Sequence, residues 1–235
     1  MEQIQNNRVI TDLYRENAQF PGIALDGSDV YLCWQRFVDR HDSLMASCRR
    51  GDEVVWEREI SDGGEVLHPV ILAHGGAIWY AWSEYARENW RILARCYRDG
   101  QWGEVLTVAS GEALFFPRLF TWQGKLHVIW TEQHKGSAAA VLCPLTEAGP
   151  GAAETVSAVG EAYRAGAAEG GDGNLYVAYD GFDGKQYKLF ARARTAAGWS
   201  GEIVVSQGED WASTPWIAAK PDGAVVGWYD YGYMA

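Results

Sequence analysis

Four carboxylates stand at closely related places in this sequence. Glu84, Glu132 and Asp230 lie two residues beyond Trp82, Trp130 and Trp228, and Asp180 lies one residue beyond Tyr179. Arg36 and Gly181 take the two-residue offset after Trp34 and Tyr179. Carboxylates gathered in one place raise one another's pKa and share protons. A pair flanking a sugar linkage can act as acid and as base or nucleophile, with their separation setting the stereochemical outcome. The plainer reading is that strands leaving a core end in solvated, acidic side chains. A second set of loops on the expected ligand face supplies His68, Arg118 and Arg164, with Trp211 and Trp216 near the fifth proline of the pattern, and together with Arg36 it offers cations and indoles to a ligand.

Other chemistries are not indicated. His41, His68, His74, His127 and His134 form no HExxH or i,i+4 pair, and Cys33, Cys48, Cys96 and Cys143 form no CxxC, so no metal is expected. No GxSxG, Walker loop or strand-following GxGxxG occurs, and no cofactor is expected. A net charge of −11 with pI near 4.9 argues against nucleic acid and anionic membrane as partners. The cysteines read as small buried apolar residues rather than disulfides, with Cys48, Cys96 and Cys143 in one repeated slot. Reduced thiols and the lack of a visible signal peptide lead to an expected cytoplasmic location.

These residues are positioned by a repeat. Proline is followed thirteen residues later by an aromatic at Pro21/Trp34, Pro69/Trp82, Pro117/Trp130 and Pro215/Trp228, with Gly166/Tyr179 in the remaining slot. The aromatics are 48, 48, 49 and 49 residues apart. His68 to Tyr85 is the clearest copy, reading as a strand, a Gly75-Gly76 turn and a second strand. Repeat one offers strands at 22–25, 30–37, 43–49 and 54–60, and repeat two at 70–73, 78–85, 91–97 and 103–108. After its second strand, repeat three degrades into Ser137-Ala138-Ala139-Ala140 and a Gly/Pro/Ala run.

Four hairpin-linked strands in each unit predict an all-β propeller of four-stranded antiparallel blades. A two-sheet sandwich has turns as frequent, but its strands occupy non-equivalent places. The expected domain is a single propeller over 1–235, with blades at about 21–61, 69–109, 117–158 and 166–207 and a partial fifth at 215–235. Residues 8–14 are placed to act as a closing outer strand. They would pair on the fifth unit directly, or the chain is the front of a longer propeller, or unpaired terminal strands self-associate between chains.

The junction Cys96-Tyr97-Arg98-Asp99-Gly100-Gln101-Trp102-Gly103, with weaker copies ending at Trp56 and Trp199, resembles the third-to-fourth-strand turn of sialidase-like propellers with Asp-box (BNR) repeats. That turn reads Ser/Thr-x-Asp-x-Gly-x-Thr-Trp in the family, whereas here Asp99 and Gly100 are adjacent and the hydroxyl residues are missing. The resemblance implies a propeller and glycan handling. It further implies, for a true sialidase, three arginines on a substrate carboxylate, a set that Arg36, Arg118 and Arg164 would supply, although Phe116-Pro117-Arg118 stands where the family has Arg-Ile-Pro. The expectation carried forward is a non-enzymatic propeller that binds a glycan or a partner protein on an acidic loop face. The alternative is a glycoside hydrolase drawing on Glu84, Glu132, Asp180 and Asp230.

Overall fold

The computed structural model describes residues 17–231 apart from 62, 159 and 209. The segment expected to close the ring, 8–14, lies outside the described residues. Four antiparallel sheets follow one another in the chain. The first is β1 (Asn17–Asp26), β2 (Asp29–Val38), β3 (His41–Arg50) and β4 (Glu53–Glu59). In the second, β5 (Glu65–His74), β6 (Ala77–Ala86) and β7 (Asn89–Arg98) are completed by an outer strand in two pieces, β8 (Gln101–Trp102) and β9 (Leu106–Gly111). The third repeats this with β10 (Ala113–Trp122), β11 (Lys125–His134), β12 (Ser137–Thr146), β13 (Gly149–Pro150) and β14 (Glu154–Thr155). The fourth has β15 (Ala162–Glu169), β16 (Leu175–Phe182), β17 (Tyr187–Thr195), β18 (Gly198–Trp199) and β19 (Ile203–Val204). A two-stranded sheet, β20 (Trp211–Lys220) and β21 (Gly223–Tyr231), ends the described chain. The fold is an all-β propeller with four full blades and a partial fifth.

Two-residue turns hold the hairpins in register. Asp39-Arg40, Arg87-Glu88, Gly75-Gly76 and Asp99-Gly100 have positive φ at both residues. This is the type I′ geometry whose twist matches that of the flanking strands. The β15–β16 connection, 170–174, is longer than its counterparts and displaces the fourth repeat by one residue. Gly166 pairs with Ala178 just as Val70 pairs with Ala81 and Arg118 with Ile129. The proline slot of blade 4 is therefore Ala165, not Gly166.

The apolar core lies between blades rather than within them. Tyr31, Leu44 and Cys48 of blade 1 pack with Ile78, Tyr80 and Trp82 of blade 2. Phe120, Ile129 and Leu142 of blade 3 pack with Leu175, Val177 and Tyr179 of blade 4. Blades 2 and 3 share two clusters, one around Trp79 and one around Trp130. All four cysteines are free and buried, and burial pushes Cys33 up to about 12. Cys48 and Cys96 pair opposite Tyr31 and Trp79, three residues before the marker tryptophan, but Cys143 pairs opposite Val128, two before it. A one-residue slip turns a strand side chain to the other face of the sheet, so Cys143 belongs to the Trp130 cluster rather than sharing the slot of the other two.

The alanine-rich start of β12, which reads as degenerate in sequence, belongs to a regular ten-residue strand paired with β11 from Ser137 to Pro144. Ala138 and Ala140 are buried, Ala140 in the cluster shared with blade 4, and such packing outweighs alanine's weak strand preference.

Candidate functional site

Each innermost strand carries the same irregularity. The pairing register shifts between Gln19 and Gly22, Leu67 and Val70, Phe115 and Arg118, Tyr163 and Gly166, and Ser213 and Trp216. At the shift, Phe20, His68, Phe116, Arg164 and Thr214 take φ of 50°, 54°, 56°, 46° and 55°. A left-handed conformation costs a non-glycine residue about 1 to 2 kcal/mol. Bulges of this kind redirect side chains. Here all five bulge residues line one central cavity of about 510 Å³, together with Arg118.

The cavity has two characters. On blades 1 to 3 it is aromatic apart from Arg118: the Phe20 and His68 rings stand 4.9 Å apart edge to face, and those of His68 and Phe116 stand 4.2 Å apart. On blades 4 and 5 it is polar. The Arg164 guanidinium lies 5.7 Å from the Phe116 ring centre and forms a two-pronged ion pair with Asp180, Nε to Oδ1 at 2.9 Å and a second bond to Oδ2. Asp180 is fully buried and also accepts a bond from the Thr214 N–H at 3.3 Å, across the blade boundary. In blade 3, Thr131 does the same for the Arg164 N–H at 3.1 Å. In blades 3 and 4 the residue after the marker aromatic thus pins the next blade's bulge.

Burial raises the pKa of Asp180 above the ordinary carboxylate value, opposed by the hydrogen bond and charge of Arg164 and by the Thr214 N–H. Arg164 is held above its ordinary value because the Asp180 bond and charge outweigh the lowering effect of its own burial. His68 is pushed down to about 4 by burial and by Arg118, so its ring is neutral at pH 7. Its Nδ1 is buried without a hydrogen-bond partner.

The remaining sequence-derived site residues are dispersed. Glu84 is fully buried, accepts from Trp82 Nε1 at 3.1 Å and is ion-paired with Arg91. Its side chain packs so tightly on Gly64 that a Cβ there would stand 2.4 Å from Glu84 Cγ. Glu132 lines a separate groove on blade 3 with His134 and Ser137. Asp230 is exposed and accepts from Trp228 Nε1 at 2.7 Å. Arg36 pairs with Glu59 at 3.1 Å. Trp211 rests on Tyr187 and Trp216 on Tyr229, both partly exposed and neither lining the central cavity.

The cavity therefore brings together His68, Arg118 and Arg164, with Asp180 directly behind Arg164. Glu84, Glu132, Asp230 and Arg36 are not among its lining residues. Phe20, Phe116 and Thr214 were missed, although all three stand immediately before a proline of the repeat. Among the described residues no group of three or more His, Cys, Asp or Glu is placed to hold a metal ion. No helix among them is long and apolar enough to cross a membrane.

No protein-family model matches the chain, and no curated protein matches it in sequence. Solved structures do match its fold. The endo-arabinase of Bacteroides thetaiotaomicron superposes with a TM-score of 0.58 at 12% identity, covering 89% of this chain and 88% of that one. A thermostable family-43 glycoside hydrolase gives 0.56 at 11% identity, covering 93% and 85%. A mannose phosphorylase from Leishmania mexicana gives 0.56 at 10%, covering 94% and 86%. These likenesses carry the propeller fold. They also overturn the expectation of a non-enzymatic binder or scaffold, because these fold neighbours are named for enzymatic work on sugars. The Asp-box resemblance holds for the propeller only, since no family model supports the sialidase repeats.

Proposed function

We propose that the protein is a glycoside hydrolase acting in the central cavity, with Asp180 as its acid/base carboxyl. The observation that carries this reading is the placement of Asp180, fully buried directly behind the cavity-lining Arg164 and paired with it, with a pKa that burial raises. Burial favours the protonated form of this carboxyl, and when a ligand draws Arg164 away it can protonate the leaving oxygen of a glycosidic bond. Phe20 and Phe116 offer flat apolar faces to a sugar ring at the same level. The fold neighbours named as arabinase and family-43 hydrolase support glycan as the substrate class. Glu132, half-buried in its own groove, remains the candidate for a second carboxylate, whereas Glu84 is sealed by Trp82 and Arg91. A sialidase form of the reading would need Arg36 beside Arg118 and Arg164; its engagement with Glu59 speaks against that.

The test is turnover of a panel of aryl glycosides and arabino-, xylo- and manno-oligosaccharides by the wild type and by Asp180→Asn, Glu84→Ala and Glu132→Ala. Asp180→Asn is expected to lower kcat on the order of a thousandfold while the far-ultraviolet spectrum is unchanged. Wild-type kcat in that variant, or no turnover by the wild type on any member of the panel, would sink the reading.

A further inference from the structure

We propose that Arg118, with His68 and Arg164 beside it, forms an oxyanion-binding subsite, so that the protein takes a carboxylate or phosphate group borne by the sugar or supplied as a free anion. This deepens the hydrolase reading and rests on it for the identity of the cavity as the substrate site.

The argument starts from charge. The chain carries 31 acidic and 20 basic residues, so carboxylates are available almost everywhere for a cation to pair with. Arg36, Arg50, Arg91, Arg98, Arg164 and Arg194 each hold one. Arg118 does not. It is half-buried in the central cavity and, among the described residues, has no hydrogen-bond or ion-pair partner. Burial lowers its pKa, a cost a folded protein bears only when something offsets it.

His68, at the adjoining bulge, adds a second unsatisfied group, a buried Nδ1 with no partner. Buried polar atoms are nearly always bonded, so an orphan on a cavity-lining ring is an unmet demand beside Arg118. A neutral imidazole can donate one N–H while the guanidinium donates two in a fork, a donor set shaped for an oxyanion. None of the residues lining the cavity is a carboxylate that would repel the anion. Asp180 stands behind Arg164, with its charge already taken up by that side chain.

The experiment is calorimetric titration of the full chain with inorganic phosphate, with a uronic-acid disaccharide and with its neutral counterpart, at low ionic strength. Arg118→Met is compared with the wild type, and Arg98→Met, at the blade 2–3 rim on Glu147, serves as a surface control. At least one anion is expected to bind the wild type tenfold or more tightly than it binds Arg118→Met, with Arg98→Met unchanged. Preference for phosphate over the uronate indicates a free anion, and the reverse indicates a charged sugar. Saturation with the anion should also raise the His68 titration midpoint, read from its imidazole resonances, because a negative charge beside the ring favours protonation. Equal affinity in wild type and Arg118→Met, or no anion binding at tens of millimolar, overturns the proposal. Anion binding without turnover of any glycan would leave this subsite standing and remove the hydrolase. Turnover of neutral glycans with no response to anions would do the opposite.

Discussion

Blades 2 and 4 each bury one carboxylate completely, and they do so on opposite faces of the same strand slot. Glu84 stands two residues past Trp82, on the tryptophan's own face, and is held by Trp82 and by Arg91 from the next strand out. Asp180 stands one residue past Tyr179, on the opposite face, and is held by Arg164 from the innermost strand and by the next blade's backbone. One position of difference moves the charge from a sealed pairing inside blade 2 to a place directly behind an arginine that lines the central cavity. A carboxylate enclosed by fixed donors serves the fold, whereas one whose cationic partner itself faces a cavity can be uncovered.

The largest effects should come from removing one partner of each pair. Arg91→Ala and Arg164→Ala each leave a fully buried carboxylate uncompensated and should cost about 3 to 5 kcal/mol in chemical denaturation. If the comparison is right, a ligand anion stabilises Arg91→Ala as much as the wild type, since its subsite is intact, and recovers less in Arg164→Ala, which has lost one of the subsite's cations and left Asp180 bare. Equal recovery in both would erase the distinction.

Trp82 and Trp130 occupy the same slot, yet only Trp82 Nε1 has a partner, while Trp130 Nε1 is buried and orphaned. Trp82→Phe should cost about 1.5 to 3 kcal/mol, the value of a hydrogen bond to a charged group. Trp130→Phe should stay within about 1 kcal/mol beyond the shared loss of ring area, because no bond is broken. Equal costs would mean that the Trp82–Glu84 bond adds nothing.

A smaller effect follows from pH. Unfolded chains protonate His68 near 6.5, whereas the folded cavity resists until about 4. The unfolded state therefore binds more protons across that window. His68's contribution is intact above pH 6.5 and is lost as pH falls toward 4. A His68→Phe variant should show a flatter dependence of Tm between pH 6.5 and 4, by a few degrees. Smallest of all, Asp230→Asn, at an exposed site on the partial blade, should change stability by no more than about 0.5 kcal/mol.

The repeat was legible because propeller blades reuse one packing solution, and the Pro–Trp spacing records it. The strands of β12 were harder to read because alanine's side chain says little about the sheet it packs into. The site was less legible than the fold. Counting a fixed offset from the aromatic gathered Glu84, Glu132 and Asp230 as one ring, but alternation along a strand makes neighbouring offsets face opposite ways, and the long β15–β16 connection shifted blade 4 by one residue. His68 and Arg118 flank prolines of the repeat and Arg164 stands next to the slot where blade 4 has lost one, but the left-handed kink that brings His68 and Arg164 to the centre with Phe20, Phe116 and Thr214 cannot be read from residue type, since none of the five is glycine.

That kink separates frame from content. The backbone detour is the same in every blade whether the residue at its apex is Phe, His, Arg or Thr, so the apex can be exchanged without moving a strand. Phe20, His68, Phe116 and Thr214 form a short word written on a fixed page, and a library randomised at these positions would explore ligand preference while leaving the propeller intact.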